Sequence, residues 1–211
     1  MLGVMYKGEI MKIIRVVRAL VLTLTLLPVT VFAHPAEDLI RQITGDMIEA
    51  LLSPEAESDS NYVRSKIDTE VIPHIDFVTM TRITVGISEW KKASKQQRSD
   101  LVKEFRELLL NTYTAALDQY TGQKLEVLPH QATDNDDKIA VVKTVFDDAN
   151  VLIPVDYKLK THKSDRNTWK VYDIEVENVS LVKSYNSEFE SQIKNAGVDG
   201  LIATLRAKNN K

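Results

Sequence analysis

The sequence predicts an α+β fold: a single domain with an antiparallel sheet of about four strands, covered on one face by several helices. Three observations carry that prediction. Apolar residues recur at three- and four-residue steps as far as about Tyr120. After Gly122 the period shortens to two. Short, turn-type stretches join the period-two segments, and such connections favour antiparallel hairpins over parallel crossovers. Half-apolar strands need a cover, and helices with broad apolar stripes supply one.

The N-terminal segment stands apart. Lys12, Arg15 and Arg18 precede an apolar run from Ala19 to Val29, broken only by Thr23, Thr25 and Pro28. Val31-Phe32-Ala33 then puts small or medium residues before His34. A basic start, a short apolar core and a small-residue exit are the parts of a secretory signal peptide, here residues 1–33. The core is shorter than the roughly 20 residues of a comfortable membrane span. Residues 34–211 are therefore expected to be exported, into the periplasm of a Gram-negative cell.

Residues 1–33 carry Lys7, Lys12, Arg15, Arg18 and Glu9, so without them the net charge falls from −3 to −6. An acidic chain lacks the basic footprint that phosphate backbones require, so nucleic acid is not an expected partner. The remaining 178 residues fit one domain with a sizeable core. The chain has no cysteine, so neither disulfides nor a lipid-modified cysteine belong to it.

In chain order, Ala36, Leu39, Ile40, Ile43, Met47, Ile48 and Leu51 trace an amphipathic helix, with Pro35 at its start and Glu37 and Asp38 in its first turn. Ser53-Pro54 ends it. A second helix is expected over 61–72, stopping at Pro73. Asp76 can cap a short third helix through Met80 and Arg82, broken at Gly86. Ser94 with Gln97 resembles a capping box that opens the longest helix, which runs to about Tyr120. Leu101, Phe105, Leu109, Tyr113, Ala116 and Leu117 share its apolar face, with Lys103, Arg106 and Asp118 opposite. Strands are expected at 124–128, 138–147, 151–161 and 168–176, and a helical tail at 184–195 and 199–207 with Gly197 between.

Catalytic constellations are hard to find. His34, His74, His130 and His162 show no metal-ligand spacing. No nucleophile elbow and no glycine-rich phosphate loop occurs. Asp134, Asp136 and Asp137 resemble the start of a calcium loop, but the glycine and distal glutamate that such a loop needs are missing. Asp76, Arg82 and Asp173 suit a buried ion pair or a cap. No enzyme activity, cofactor or metal is expected. Apolar stripes with no chemistry suit either a packed core or a container for something apolar.

The segment MTRITVG, followed in order by Trp90, QR, Phe105, LL, TY and AL, resembles the MlaC or toluene-tolerance family of periplasmic phospholipid-binding proteins. The similarity resumes at VDYKL, WKVYDIEVENVSLV, Tyr185, Phe189 and GVDGLIATL. It departs where the family often has glycine before VSLV, here Asn178, and arginine after the tyrosine, here Asn186. The resemblance implies a monomeric carrier that holds a glycerophospholipid between sheet and helices. Its implied partners are an inner-membrane ABC transporter complex bearing MCE domains and an outer-membrane lipoprotein complex, and its implied role is to maintain outer-membrane lipid asymmetry. An interaction module with a packed core, or a periplasmic hydrolase of unrecognised type, are the alternatives.

Matching the helix stripe to strand parity gives an expected pocket wall. Met80, Phe105, Leu109 and Tyr113 should face Val141, Val155 and Tyr157, with Tyr172 and Ile174 closing one side. Lys91, Lys92, Lys95 and Arg98 cluster at the start of the long helix and form a candidate docking patch on an otherwise acidic chain.

Overall fold

The computed structural model describes residues 34–59, 61–117, 120–129, 138–148, 151–162 and 165–210. The leader 1–33, His130, the Asp134–Asp137 loop, Asp118 and Ser164 lie outside the described residues, as does the side chain of Ala116. Helix α1 (Pro35–Leu51) begins as expected, with Pro35 in its first turn and His34 Nδ1 accepting from the Ala36 amide at 3.2 Å. Ala36, Ile40, Ile43 and Met47 lie on its buried face; Ala36 and Ile40 pack on the sheet, and Met47, at the far end, packs on other helices. Arg41 fixes its angle by bonding Glu37 at 2.7 Å and the Val127 carbonyl at 2.7 Å.

Ser53-Pro54 ends α1 but also starts a helix. Ser53 caps α2 (Pro54–Ser58), because proline suits a first helical turn as well as it suits a stop. Helix α3 (Tyr62–Lys66) then widens into a π turn (Ile67–Val71) and tightens into a 3-10 turn (Ile72–His74). Pro73 accounts for the irregularity: it has no N–H to donate, and its ring crowds the carbonyl four residues back. Helicity therefore continues past the expected stop at Pro73.

Asp76 caps α4 (Phe77–Val85), accepting from the Thr79 amide at 2.9 Å. Gly86 ends α4 at φ 88°, and α5 (Ile87–Lys92), absent from the sequence expectation, follows at once. The capping box is present: Ser94 Oγ accepts from the Gln97 amide at 3.1 Å, and Gln97 Oε1 accepts from the Ser94 amide at 2.9 Å. It opens α6 (Lys95–Leu117).

The sheet is a meander in the order β1-β2-β3-β4-β5, antiparallel throughout. Its strands are β1 (Lys124–Val127), β2 (Ile139–Asp148), β3 (Val151–His162), β4 (Asp165–Val176) and the short β5 (Val179–Ser180), which the sequence reading did not expect. Glu177 and Asn178 join β4 to β5 with φ of 50° and 65°. Two positive-φ residues make the hairpin turn that matches strand twist, and asparagine at Asn178 tolerates that region.

Ser180 caps α7 (Leu181–Asn209), which bends at Gly197 (φ 69°, ψ −178°) and folds back on itself. Only glycine enters that conformation without strain. Asp173, 3% exposed, binds the start of α7 to the sheet, accepting from Ser180 Oγ at 2.8 Å and from the Val182 amide at 3.2 Å. Lys158 supplies its countercharge at 3.5 Å and also pairs with Glu175. Asn186 donates to the Thr84 carbonyl at 2.9 Å and so ties α7 to the end of α4.

A second ionic tie joins α4 to the sheet. Lys160 Nζ lies 2.8 Å from Asp76 Oδ2 and also meets Thr79 Oγ1. Burial would raise the Asp76 pKa, but the Lys160 and Thr79 hydrogen bonds and the Lys160 charge outweigh it and hold the carboxyl below its ordinary value. A depressed pKa contributes stability that is present above the unfolded value of about 3.9 and is lost as pH falls through the folded value. Urea melts from pH 7 down to about pH 3 should show that decline, and Asp76→Asn should flatten part of it. Parallel pH profiles for the two proteins would show that Asp76 contributes nothing to acid sensitivity.

The core of this one domain is divided. One cluster joins α4, α6 and α7 through Met80, Leu101, Phe105, Phe189 and Leu205. A second joins α1 to the sheet through Ile40, Val142, Leu159, Trp169 and Val171, with His34 edge-on to Trp169 at 5.0 Å. A third joins the far end of α1 to α3, the π turn and α6 through Met47, Val63, Ile67 and Leu110.

Candidate functional site, an apolar cavity between three cores

Where the clusters meet, the protein does not fill itself. A cavity of about 1110 Å³ lies there, slightly above the roughly 300–1,000 Å³ of ordinary ligand pockets. Each cluster contributes wall: Met80 and Leu109 from the first, Ile40 and Val171 from the second, Met47, Ile67 and Leu110 from the third. The π turn matters here, because it presents Ile67 and Val71, and the following Ile72, to the same space. Such turns recur at functional sites because they re-aim side chains that a regular helix would send elsewhere.

The sheet supplies the floor by parity. On β2 the inner residues are Ala140, Val142, Thr144 and Phe146, which stand opposite Leu159, Tyr157, Val155 and Ile153 of β3. On β4 the register slips beyond Lys158, so that Asp173 faces Lys158 while Val171 faces Leu159. Tyr172 occupies the slip. Ile174 and Val171 both reach the cavity across it.

Of the expected wall residues, Met80, Leu109, Tyr113, Tyr157 and Ile174 line the cavity. The other four do not. Phe105 is fully buried in the helical cluster, edge-on to Tyr185 at 5.2 Å and to Phe189 at 5.4 Å. Val141 pairs with Lys158, on the opposite face of β2 from Val142. Val155 is inward by register, opposite Thr144, but is not part of the lining. Tyr172 lies beside Lys158, Asp173 and Glu175. The walls from α1 and from the π and 3-10 turns were missed, although the three-four spacing of α1 already showed a stripe that had to face something.

The interior is dry in character. Tyr157 lies half-buried on the cavity wall, and desolvation by burial pushes its hydroxyl up to about 12. Glu188 is the one charged residue of the described lining. The lining residues that remain exposed are Tyr113, Val176, Val179, Ser184 and Glu188. Val176 pairs with Val179, and Ser184 and Glu188 follow within the first turns of α7, so these residues mark the mouth. At the other end a smaller cavity of about 720 Å³ adjoins, sharing Thr44, Ile48, Tyr120, Gln123 and Leu125. Among the described residues no cluster of His, Asp or Glu could hold a metal ion, and no helix is long and apolar enough to cross a membrane.

The basic patch is smaller than expected. Lys91, Lys92 and Lys95 are exposed, with Lys92 paired to Glu89 at 2.7 Å. Arg98 is a strut: it donates to the carbonyls of Trp90 at 2.8 Å and Lys91 at 2.9 Å, and its guanidinium lies 5.6 Å from the Trp90 ring centre.

A large, unfilled apolar space whose mouth carries Ser184 and Glu188 defines a binding protein for long hydrocarbon ligands, since a domain that only needed stability would have closed it. The chain belongs to the MlaC family, whose model, described as MlaC protein, matches residues 41–207. The Haemophilus influenzae "Intermembrane phospholipid transport system binding protein MlaC" is 24% identical over 190 residues, covering 88% of each chain. "Toluene tolerance protein ttg2D" of Pseudomonas putida is 23% identical over 185 residues, or 86% of this chain and 84% of that one. A solved structure of the phospholipid-binding protein from Ralstonia solanacearum, in complex with a phospholipid, matches with a TM-score of 0.74 at 26% identity, covering 85% of this chain and 98% of that one.

Proposed function

We propose that the protein is a non-enzymatic phospholipid carrier of the periplasm, exported by cleavage of residues 1–33. It holds a glycerophospholipid by its tails and passes it between membrane complexes. The observation that carries this reading is the cavity of about 1110 Å³, walled by all three cores. Burying a methylene contributes about 0.8 kcal/mol, so one acyl tail resists water by on the order of 10 kcal/mol. Crossing an aqueous gap then requires a dry container of comparable affinity, and such a container needs little polar specificity. The phospholipid in the Ralstonia solanacearum protein and the transport named for the Haemophilus influenzae relative support the reading. The same reading gives it two partners, an MCE-bearing ABC transporter and an outer-membrane lipoprotein complex, and a monomer suits transient docking to each. Mass spectrometry of organic extracts of the purified protein tests the proposal. Phospholipid near one per chain supports it, and an empty extract from protein purified without detergent counts against it.

Docking to an acidic partner or to anionic headgroups by the exposed lysines is the part of this reading that charge can address. Reversing Lys91, Lys92 and Lys95 to glutamate should slow lipid exchange with vesicles that contain the partner complex, without lowering the lipid bound per chain. Arg98 is left in place because it supports the junction of α5 and α6. An exchange rate equal to wild type at low salt would take the patch out of the mechanism.

A further inference from the structure

We propose that Glu188 sets a headgroup preference: its carboxylate, at the mouth of the cavity, favours phospholipids whose headgroup bears an ammonium over those whose headgroup is only anionic. The inference rests on the phospholipid-carrier reading of the same cavity. Tails that fill the apolar depth leave the headgroup at the wet end, where Tyr113, Val176, Val179, Ser184 and Glu188 remain exposed. Glu188 is the one charged residue of the described lining, so its carboxylate, with Lys208 paired to it, stands where an incoming headgroup arrives.

Its setting is fixed. Lys208 Nζ donates to Oε1 at 2.7 Å, and Gln192 Nε2 donates to the same oxygen at 3.1 Å. Gln192 sits one turn further along α7, while Lys208 arrives from beyond the Gly197 bend, so the folded-back tail orients the carboxylate. Both bonds fall on Oε1, which leaves the acceptor capacity of Oε2 for a ligand. Tyr185 lies within the fields of both Glu188 and Lys208, and Tyr113 adjoins Tyr185, so the pair stands among the aromatic groups of the rim. The phosphate is common to every phospholipid, so attraction to Lys208 does not discriminate among them. An ammonium placed beyond the phosphate gains a charge partner in Glu188, whereas a second anion is repelled and a neutral glycerol offers only uncharged hydroxyl donors. Because the site is exposed, the selection is modest, roughly two- to fivefold, the range that surface ion pairs contribute.

The test loads the full exported chain, stripped of lipid, from vesicles of equal phosphatidylethanolamine and phosphatidylglycerol. The ratio of the two lipids is read per lipid bound by mass spectrometry. Wild type should enrich phosphatidylethanolamine roughly two- to fivefold at low salt, with the enrichment shrinking as salt rises. Glu188→Gln should return the ratio to that of the vesicle, and Glu188→Lys should favour phosphatidylglycerol. Lys208→Gln breaks the same ion pair but keeps the carboxylate, so it should retain or sharpen the enrichment. A salt bridge with only a structural role would move Glu188→Gln and Lys208→Gln alike, and that result overturns the proposal. A wild-type ratio equal to the vesicle, with normal loading, overturns it while leaving the carrier reading intact. Wild type that takes up neither lipid overturns both.

Discussion

Ile174→Trp should yield a folded protein that carries no lipid. Ile174 is half-buried on β4 and lines the cavity floor, next to Tyr157 across the strand pair. In a packed core the added volume would cost about 1–3 kcal/mol through forced rotamers and backbone shifts. Here the indole has empty space to enter, so the cost falls on the ligand. Bound phospholipid per chain should drop to a small fraction of wild type, while the far-ultraviolet circular dichroism and the cooperative melt persist. Full loading of the variant would mean that the tails lie elsewhere. Lipid loss accompanied by unfolding would mean that the space closes in solution.

Phe105→Ala should do the reverse. Phe105 is fully buried and makes two edge-to-face ring contacts, with Tyr185 and Phe189, inside the cluster that joins α4, α6 and α7. Truncating a buried phenylalanine costs about 3–5 kcal/mol, a large share of the roughly 5–15 kcal/mol that holds a domain folded. The melting temperature should fall by about 10 °C, taking about 2–4 °C per kcal/mol for a chain of this size. Lipid bound per folded chain should change far less than in Ile174→Trp. A variant that melts like wild type would show that Phe105 borders open space after all.

These two residues also show how far the sequence could be read. Both lie on stripes whose spacing announces burial, and apolar core and apolar cavity draw on the same residue types. The stripe of α6 divides along its length: Leu101 and Phe105 pack against α7, and from Leu109 onward Leu110, Tyr113 and Leu117 line the cavity. No spacing rule marks that change. On β3 the alternation of Tyr157 and Leu159 with Lys158 and Lys160 made the inner face legible, and it is the inner face. On β2 both Val141 and Val142 are apolar, so parity carries no signal, and Val141 lies on the face away from the cavity. On β4 the register slip at Tyr172 reverses parity midway, and nothing in WKVYDIEV announces it. The helices with explicit caps, at Asp76 and at Ser94, began where the sequence put them, because a cap is a local hydrogen bond and needs no tertiary context.

The division of the core into three clusters has a thermodynamic consequence. Each cluster holds three or more elements together, but the space common to all of them belongs to the cargo. A lipid that fills it binds the native chain and not the unfolded one, so it adds to folding stability by mass action, about 2.7 kcal/mol at a hundredfold excess over its dissociation constant. The delipidated protein should therefore melt several degrees lower than the loaded one and be cut faster by a protease that attacks opened chains. Cargo and folding are then a single equilibrium. A shuttle that returns empty is the more perishable form, and its lifetime in the compartment becomes a reading of how much lipid is in transit.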